Sequence, residues 1–180
     1  MFVYEVDEEL TLKMMNTSNA EKLFSLIEHN RDYLQEWLPW VNSTTTVEHS
    51  KQFIENAFQT HADRVGLTSG IFYQESLVGV IGFNEFDWRN KIGYIGYWLS
   101  KDAQGKGIMT RAARALINYG FEILDLNRID IRAAVDNKKS RAIPERLGFN
   151  QEGILRQTEW LYDHYVDHVV YGMLANEWGI

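Results

Sequence analysis

The stretch Gln104-Gly105-Lys106-Gly107-Ile108-Met109-Thr110 has the residue types and spacing best suited to chemistry in this chain. Two glycines bracket a lysine, after an apolar run (Ile92, Tyr94, Ile95, Tyr97, Trp98, Leu99) and ahead of a helical pattern that begins at Ile108. A glycine turn between strand and helix aims backbone N–H groups at an anion. Glycine permits close approach, and the first helical turn offers unpaired donors at the positive end of its dipole. The chemistry expected is a pyrophosphate cradle. Two common phosphate loops are excluded: no Gly-x4-Gly-Lys-Ser/Thr string occurs, and Thr110 stands where a dinucleotide fingerprint needs its third glycine.

Other side chains carry competing readings. Glu85 and Asp87 close a strand ahead of the turn. Glu159 stands beside Trp160 near the end of another, where most glutamates are simply solvated. Asn137 and Ser140 flank the start of a short helix, and capping is a sufficient role for either. Trp37, Trp40, Trp88, Tyr94, Tyr97 and Trp160 divide between core and a water-excluding cleft. His164 and His168 are spaced like a helical metal pair, but on a strand that spacing separates them by about 13 Å, so no metal site is expected.

The elements that must hold these groups follow from periodicity. Leu10–Met15 reads as the first strand, 19–30 as a helix with Leu23, Leu26 and Ile27 on one face, and Val47–His61 as a second helix. Gly66–Tyr73 and Leu77–Phe83 form a hairpin about Gln74-Glu75-Ser76, and Lys91–Leu99 is the next strand. The helix after the glycine turn buries Ile108, Ala112, Ala115, Leu116, Tyr119 and Ile123. A right-handed crossover then places Arg128–Val135 parallel to Lys91–Leu99. The short helix should start near Ser140, keeping Pro144 in or near its first turn, and end at Gly148. Asn150–Trp160 and Tyr165–Leu174 make a closing pair of strands. The fold class is α/β (α+β): a mixed, mostly antiparallel sheet of about seven strands with one central parallel β-α-β unit and flanking helices.

The 180 residues suffice for one domain, 1–180, with a full core. With no cysteine, a thiol nucleophile and thiolate metal sites are excluded, so no acyl transfer can run through an acyl-thioenzyme. The net charge of −7 and the lack of a long basic run disfavour nucleic-acid binding and suit a cationic partner. No signal-like segment or membrane-length apolar run is present, so the expected location is cytoplasmic.

Two motifs then carry a resemblance. Gln104-x-x-Gly107-x-Met109 resembles the pyrophosphate loop of the GNAT N-acetyltransferases. Asn137-x-x-Ser140 with Arg146-Leu147-Gly148-Phe149 resembles that family's later Asn, short helix and Gly-Phe. The branch that acetylates ribosomal-protein amino termini (RimJ/RimL type) is similar in Trp37-Leu38-Pro39-Trp40, Met109, Glu152-Gly153 and Arg156. The resemblance implies a GNAT fold and direct transfer of acetyl from acetyl-CoA to a primary amine. The acceptor it implies is a protein N-terminus, with a small amine (polyamine or aminoglycoside-like) as the rival. A non-catalytic acyl-CoA sensor is the reading from another class. A homodimer is compatible with the resemblance, and no metal is implied.

For single residues, the resemblance implies cofactor contacts from Gln104, Gly105, Lys106, Gly107, Met109, Thr110 and Asn137. Backbone N–H groups near Trp98 and Leu99 would polarise the thioester. Ser140 would donate a proton to the leaving thiolate, and Glu159 would take one from the amine, with Glu85 and Asp87 as fallback bases. Trp37, Trp40, Glu85 and Tyr97 would shape the acceptor pocket. One departure is chemical: many family members have a tyrosine seven residues after the asparagine as general acid, and here that residue is Pro144.

Overall fold

The computed structural model describes residues 1–179. Its strands are β1 (Val3–Glu5), β2 (Leu10–Lys13), β3 (Leu67–Tyr73), β4 (Ser76–Asp87), β5 (Ile92–Leu99), β6 (Arg128–Ala134), β7 (Asn150–Leu161) and β8 (His164–Leu174). The α-helices are α1 (Ala20–His29), α2 (Arg31–Leu34), α3 (Val47–Ala62), α4 (Ile108–Asn118) and α5 (Lys138–Arg146). Among the described residues the strands form one eight-stranded sheet in the order β1-β2-β3-β4-β5-β6-β8-β7. The additional strand relative to the seven expected is β1, whose three residues pair with β2 from Val3↔Lys13 to Glu5↔Thr11. It is too short to show an alternation in sequence.

Every strand pair is antiparallel except β5 and β6, and that exception positions the site. Parallel pairing runs only from Ile92↔Arg128 to Ile95↔Ile131. Beyond it β5 continues to Leu99 on β4 alone, while β6 continues to Ala134 on β8 alone. The sheet therefore opens like a V between Gly96–Leu99 and Arg132–Ala134.

Each face of the sheet has its own core. One cluster joins Leu12, Ile81, Ile95, Ile129, Ile131, Val169 and Tyr171 to α4 residues such as Ile108, Ala112 and Leu116. The other packs Leu23 and Ile27 of α1 and Ile54 of α3 on Phe72 and Val80. Burial on α4 ends before the expected Ile123, which is 65% exposed. The backbone widens into a π turn at Tyr119–Ile123, and that turn shifts the helical phase and rotates Ile123 outward.

Beyond the V, β8 lies between β6 and β7, yet Arg128 of β6 bonds Glu152 of β7, with a 3.0 Å contact to Oε1. Gly172 of β8 makes that crossing possible: a Cβ there would stand 2.7 Å from Arg128 Nη2 and 2.8 Å from Glu152 Cδ. The Arg128 bond lowers the Glu152 carboxyl below its usual range. Further along, three residues of β7 (Arg156, Gln157, Thr158) face the single residue Asp167, because pairing jumps from Leu155↔His168 to Glu159↔Val166. The bulge is held by Gln157, at φ 49°, whose N–H donates to Asp167 Oδ1 at 2.7 Å. The β7–β8 tip then reaches back to the body, where the Tyr162 hydroxyl donates to the Leu38 carbonyl at 2.5 Å.

Candidate active site

A cavity of about 1050 Å³ lies at the opening of the V, between the C-terminal half of β5, the glycine turn, and the first turns of α4 and α5. It is lined by Trp37, Tyr97, Trp98, Leu99, Gln104, Gly105, Lys106, Gly107, Met109, Thr110, Asn137 and Ser140 from the sequence reading. Trp40, Glu85, Asp87 and Glu159 are not among its lining residues. Trp40 instead packs on Trp98, with ring centroids 6.2 Å apart. Glu85 is exposed on β4 opposite Tyr94, just past the bulge at Asn84. Asp87 is occupied by Asn90, whose side chain and backbone N–H bond it at 2.7 and 2.9 Å and hold its carboxyl below the usual range. Glu159 stands just past the β7 bulge, and its Oε1 lies 3.5 Å from His168 Nε2.

The glycine turn is shaped by backbone geometry. Gly105 and Gly107 have φ of 76° and 71°, and a Cβ on either would meet nothing within 4 Å. The surface is left bare for something else to approach. Gly107 is the N-cap of α4 and has no side chain to satisfy the helix's first N–H groups. No acidic residue occupies that first turn. Met109 is 6% exposed and belongs largely to the core.

Charge decides what the cavity suits. Six cationic side chains line it (Lys101, Lys106, Arg111, Arg114, Lys139, Arg146), and among the described residues no aspartate or glutamate does. In a chain of net charge −7 this is a strongly local inversion. Arg111 is partly engaged by Asp7 at 2.7 Å, Lys139 Nζ donates to Gln104 Oε1 at 3.1 Å, and Arg146 donates to Thr110 Oγ1 at 2.8 Å. Of the six, sequence reasoning assigned only Lys106 to the ligand. Arg111 and Arg114 had a signal, since α4 carries arginines and no acid on its polar side after the glycine turn. Lys101 and Lys139 come from separate elements and had none.

The opposite wall is the first turn of α5. Asn137 is its N-cap, and its Oδ1 accepts the Ser140 N–H at 3.2 Å. The helix starts at Lys138 and not near Ser140, so Pro144 falls in the second turn, a correction to the expected placement. A proline at that position cannot donate to the Ser140 carbonyl. That carbonyl accepts the Tyr97 hydroxyl at 2.8 Å instead, an arrangement that resolves the misfit of Pro144. Tyr97 thus bridges β5 and α5 across the V, and burial pushes its hydroxyl well above the usual phenol range.

A split sheet with a basic, glycine-lined cavity at the split suits an anionic ligand that brings phosphate to the helix end. The family model described as the acetyltransferase (GNAT) domain matches residues 9–150, and the chain belongs to that family of N-acetyltransferases. YdaF of Bacillus subtilis (strain 168) is 39% identical over 99% of this chain and 98% of its own. The ribosomal-protein-serine acetyltransferase of Escherichia coli (strain K12) is 34% identical over 96% of each. Among solved structures, the ribosomal L7/L12 alpha-N-protein acetyltransferase RimL in complex with coenzyme A superposes with a TM-score of 0.92. It is 31% identical to this chain, over 96% of this chain and 98% of that one. The co-substrate is acetyl-CoA, and the residues present fit it: bare glycines at positive φ, an uncapped helix end, and six cations facing one cavity.

Proposed function

We propose that this acetyltransferase transfers acetyl from acetyl-CoA to the N-terminal α-amino group of a protein, a ribosomal protein first among them, and does so in the cytoplasm. The single observation that carries the cofactor half of this reading is the cavity of six cations and no carboxylate around a bare helix N-terminus. A coenzyme A pyrophosphate and ribose phosphate supply the charge such a site needs. The acceptor half rests on the relatives, the Escherichia coli enzyme and RimL, whose names give ribosomal-protein serine and L7/L12 as their targets.

The bound thioester supplies an activated acetyl group; the chain's own residues do the rest. Gly105, Gly107 and the first N–H groups of α4 would hold the pyrophosphate, and Lys106 and the neighbouring cations would screen its charge. The edge of β5 from Gly96 to Leu99 has lost its β6 partner. Ser100 donates to Val78 of β4, so by alternation Trp98 faces β4 and the N–H of Leu99 is the one free beside it to polarise a carbonyl oxygen. Glu159 accepts the proton that an ammonium must lose before it can attack, either directly or through water. Ser140 donates a proton toward the departing thiolate. With no cysteine in the chain, no acetyl-thioenzyme forms, and the amine nitrogen attacks the thioester directly.

The test is acetyl transfer with a thiol-release readout, against peptides that begin with serine or alanine and against spermidine. Turnover of the peptides with little on spermidine is expected; the reverse preference would replace the protein acceptor by a small amine. Within the same assay, Glu159→Gln should lower kcat by roughly 10²–10⁴-fold at neutral pH. Raising the pH should restore part of it, because more acceptor arrives already neutral. Near-normal turnover in Glu159→Gln with loss in Glu85→Gln would move the base to β4.

A further inference from the structure

The proline inside α5 and the tyrosine at the open edge of β5 form a matched pair. In a regular helix residue 144 would donate its N–H to the Ser140 carbonyl; proline has none to give. A helical carbonyl near a partly buried wall is costly to leave alone. Here it is satisfied from outside the helix by the Tyr97 hydroxyl at 2.8 Å. Tyr97 lies two residues past Ile95, the last residue of β5 paired with β6, so the bond spans the mouth of the V. No other hydrogen bond from β5 reaches the first turn of α5 among the described residues. Asn137 closes the same turn from its other end, by accepting the Ser140 N–H. The backbone of Ser140 is therefore gripped twice, at its N–H from within α5 and at its carbonyl from β5.

We infer that Tyr97 and Pro144 together are a positioning device for acetyl transfer. Pro144 keeps the Ser140 carbonyl free, Tyr97 takes it, and the bond sets where the Ser140 hydroxyl stands relative to the unpaired edge of β5. Neither residue needs to touch the reacting atoms for this. Tyr97 is partly buried, and the desolvation that raises its phenol above the usual range keeps it a donor. The inference rests on the reading that Ser140 acts at the coenzyme thiol.

The device makes a prediction that ordinary packing does not. Pro144→Ala restores the missing N–H, which draws the carbonyl along the helix axis and weakens the Tyr97 bond by sharing its lone pairs, and it removes a helix breaker. The variant should melt several degrees higher than wild type and yet turn over roughly tenfold more slowly, about the worth of one hydrogen bond. Tyr97→Phe should lower kcat by a similar factor while the coenzyme A dissociation constant moves by less than about twofold. The double variant should be no slower than the slower single, because both remove one and the same bond.

Measured together with Ser140→Ala, these outcomes separate. Wild-type kcat in Pro144→Ala, or losses that multiply in the double variant, overturns the device. Full turnover in Ser140→Ala removes the proton-donor reading of that serine. That outcome overturns the device with it, whereas a slow Ser140→Ala beside wild-type kcat in Pro144→Ala overturns the device alone.

Discussion

Two helices meet the cavity with their N-termini, and they begin in opposite ways. α4 starts at Gly107, with φ of 71°, no capping side chain and no acid in its first turn. α5 starts at Asn137, which caps it through Ser140, and its only interior irregularity, Pro144, is compensated by Tyr97. One end is left bare and the other is satisfied twice. A bare helix end is costly unless something arrives to fill it, so α4 is built for a ligand. A satisfied end binds less but moves less, and on our proposal α5 holds the Ser140 hydroxyl in place. The same cavity needs both, because a cofactor must come and go while the group beside its reacting atom must not shift.

The sharpest way to break this contrast is to put a side chain where α4 has none. Gly107→Val introduces a β-branched residue at positive φ and fills the space that a pyrophosphate would use. Coenzyme A affinity by calorimetry should fall by about 100-fold or more, since close backbone approach is blocked. The core face of α4 is untouched, so circular dichroism should still report a folded chain. Unchanged affinity would mean that α4 is bare for another reason.

A smaller effect separates the two functions of α5's cap. The Asn137 Oδ1 is committed to Ser140, which leaves its amide N–H₂ for the amide-rich arm of the coenzyme. Asn137→Ala should cost about 1 kcal/mol of stability through the lost cap and weaken coenzyme A by a fewfold. Asn137→Asp keeps the acceptor and loses the donor, so its melting temperature should recover while the weakened affinity remains. Recovery of both would show that the residue caps and does nothing more.

What could be seen from the sequence alone follows the same division. The β3–β4 hairpin, the α4 face and the parallel β5–β6 unit each repeat one period over several residues, and each is visible as such. Gly105 and Gly107 were visible because a local backbone demand selects a residue type. The rest depended on distances along the chain. The bulge at Arg156–Thr158 displaces Glu159 relative to His168 by a register that no alternation encodes. The π turn rotates Ile123 outward, and Gly120 within it does not break the helical period of the neighbouring side chains, so the sequence pattern runs on past the point where burial stops. Pro144 looked like a constraint on where α5 begins, but it lies in the second turn, and the Ser140 carbonyl it cannot serve is filled by Tyr97. The basic ring is drawn from five places in the sequence, and apart from Lys106 and the two arginines of α4 its members look like ordinary surface charges by themselves.

The smallest effect tests whether the bare end of α4 relies on its backbone or on nearby charge. Lys106 sits at the tip of the turn, exposed, between the two glycines. If the N–H groups of the turn and of α4 do most of the holding, Lys106→Ala removes only one screened cation from six. Its cost should then be a fewfold in coenzyme A affinity, far less than that of Gly107→Val. The salt dependence gives the sign: the wild-type dissociation constant should rise with ionic strength, and the variant's should rise less steeply, by the share of one charge. The two curves should converge at high salt, where a point charge no longer counts but a backbone cradle still does. A loss as large as that of Gly107→Val, persisting at high salt, would assign the grip to the lysine. The contrast between α4 and α5 would then be one of side chains and not of helix ends.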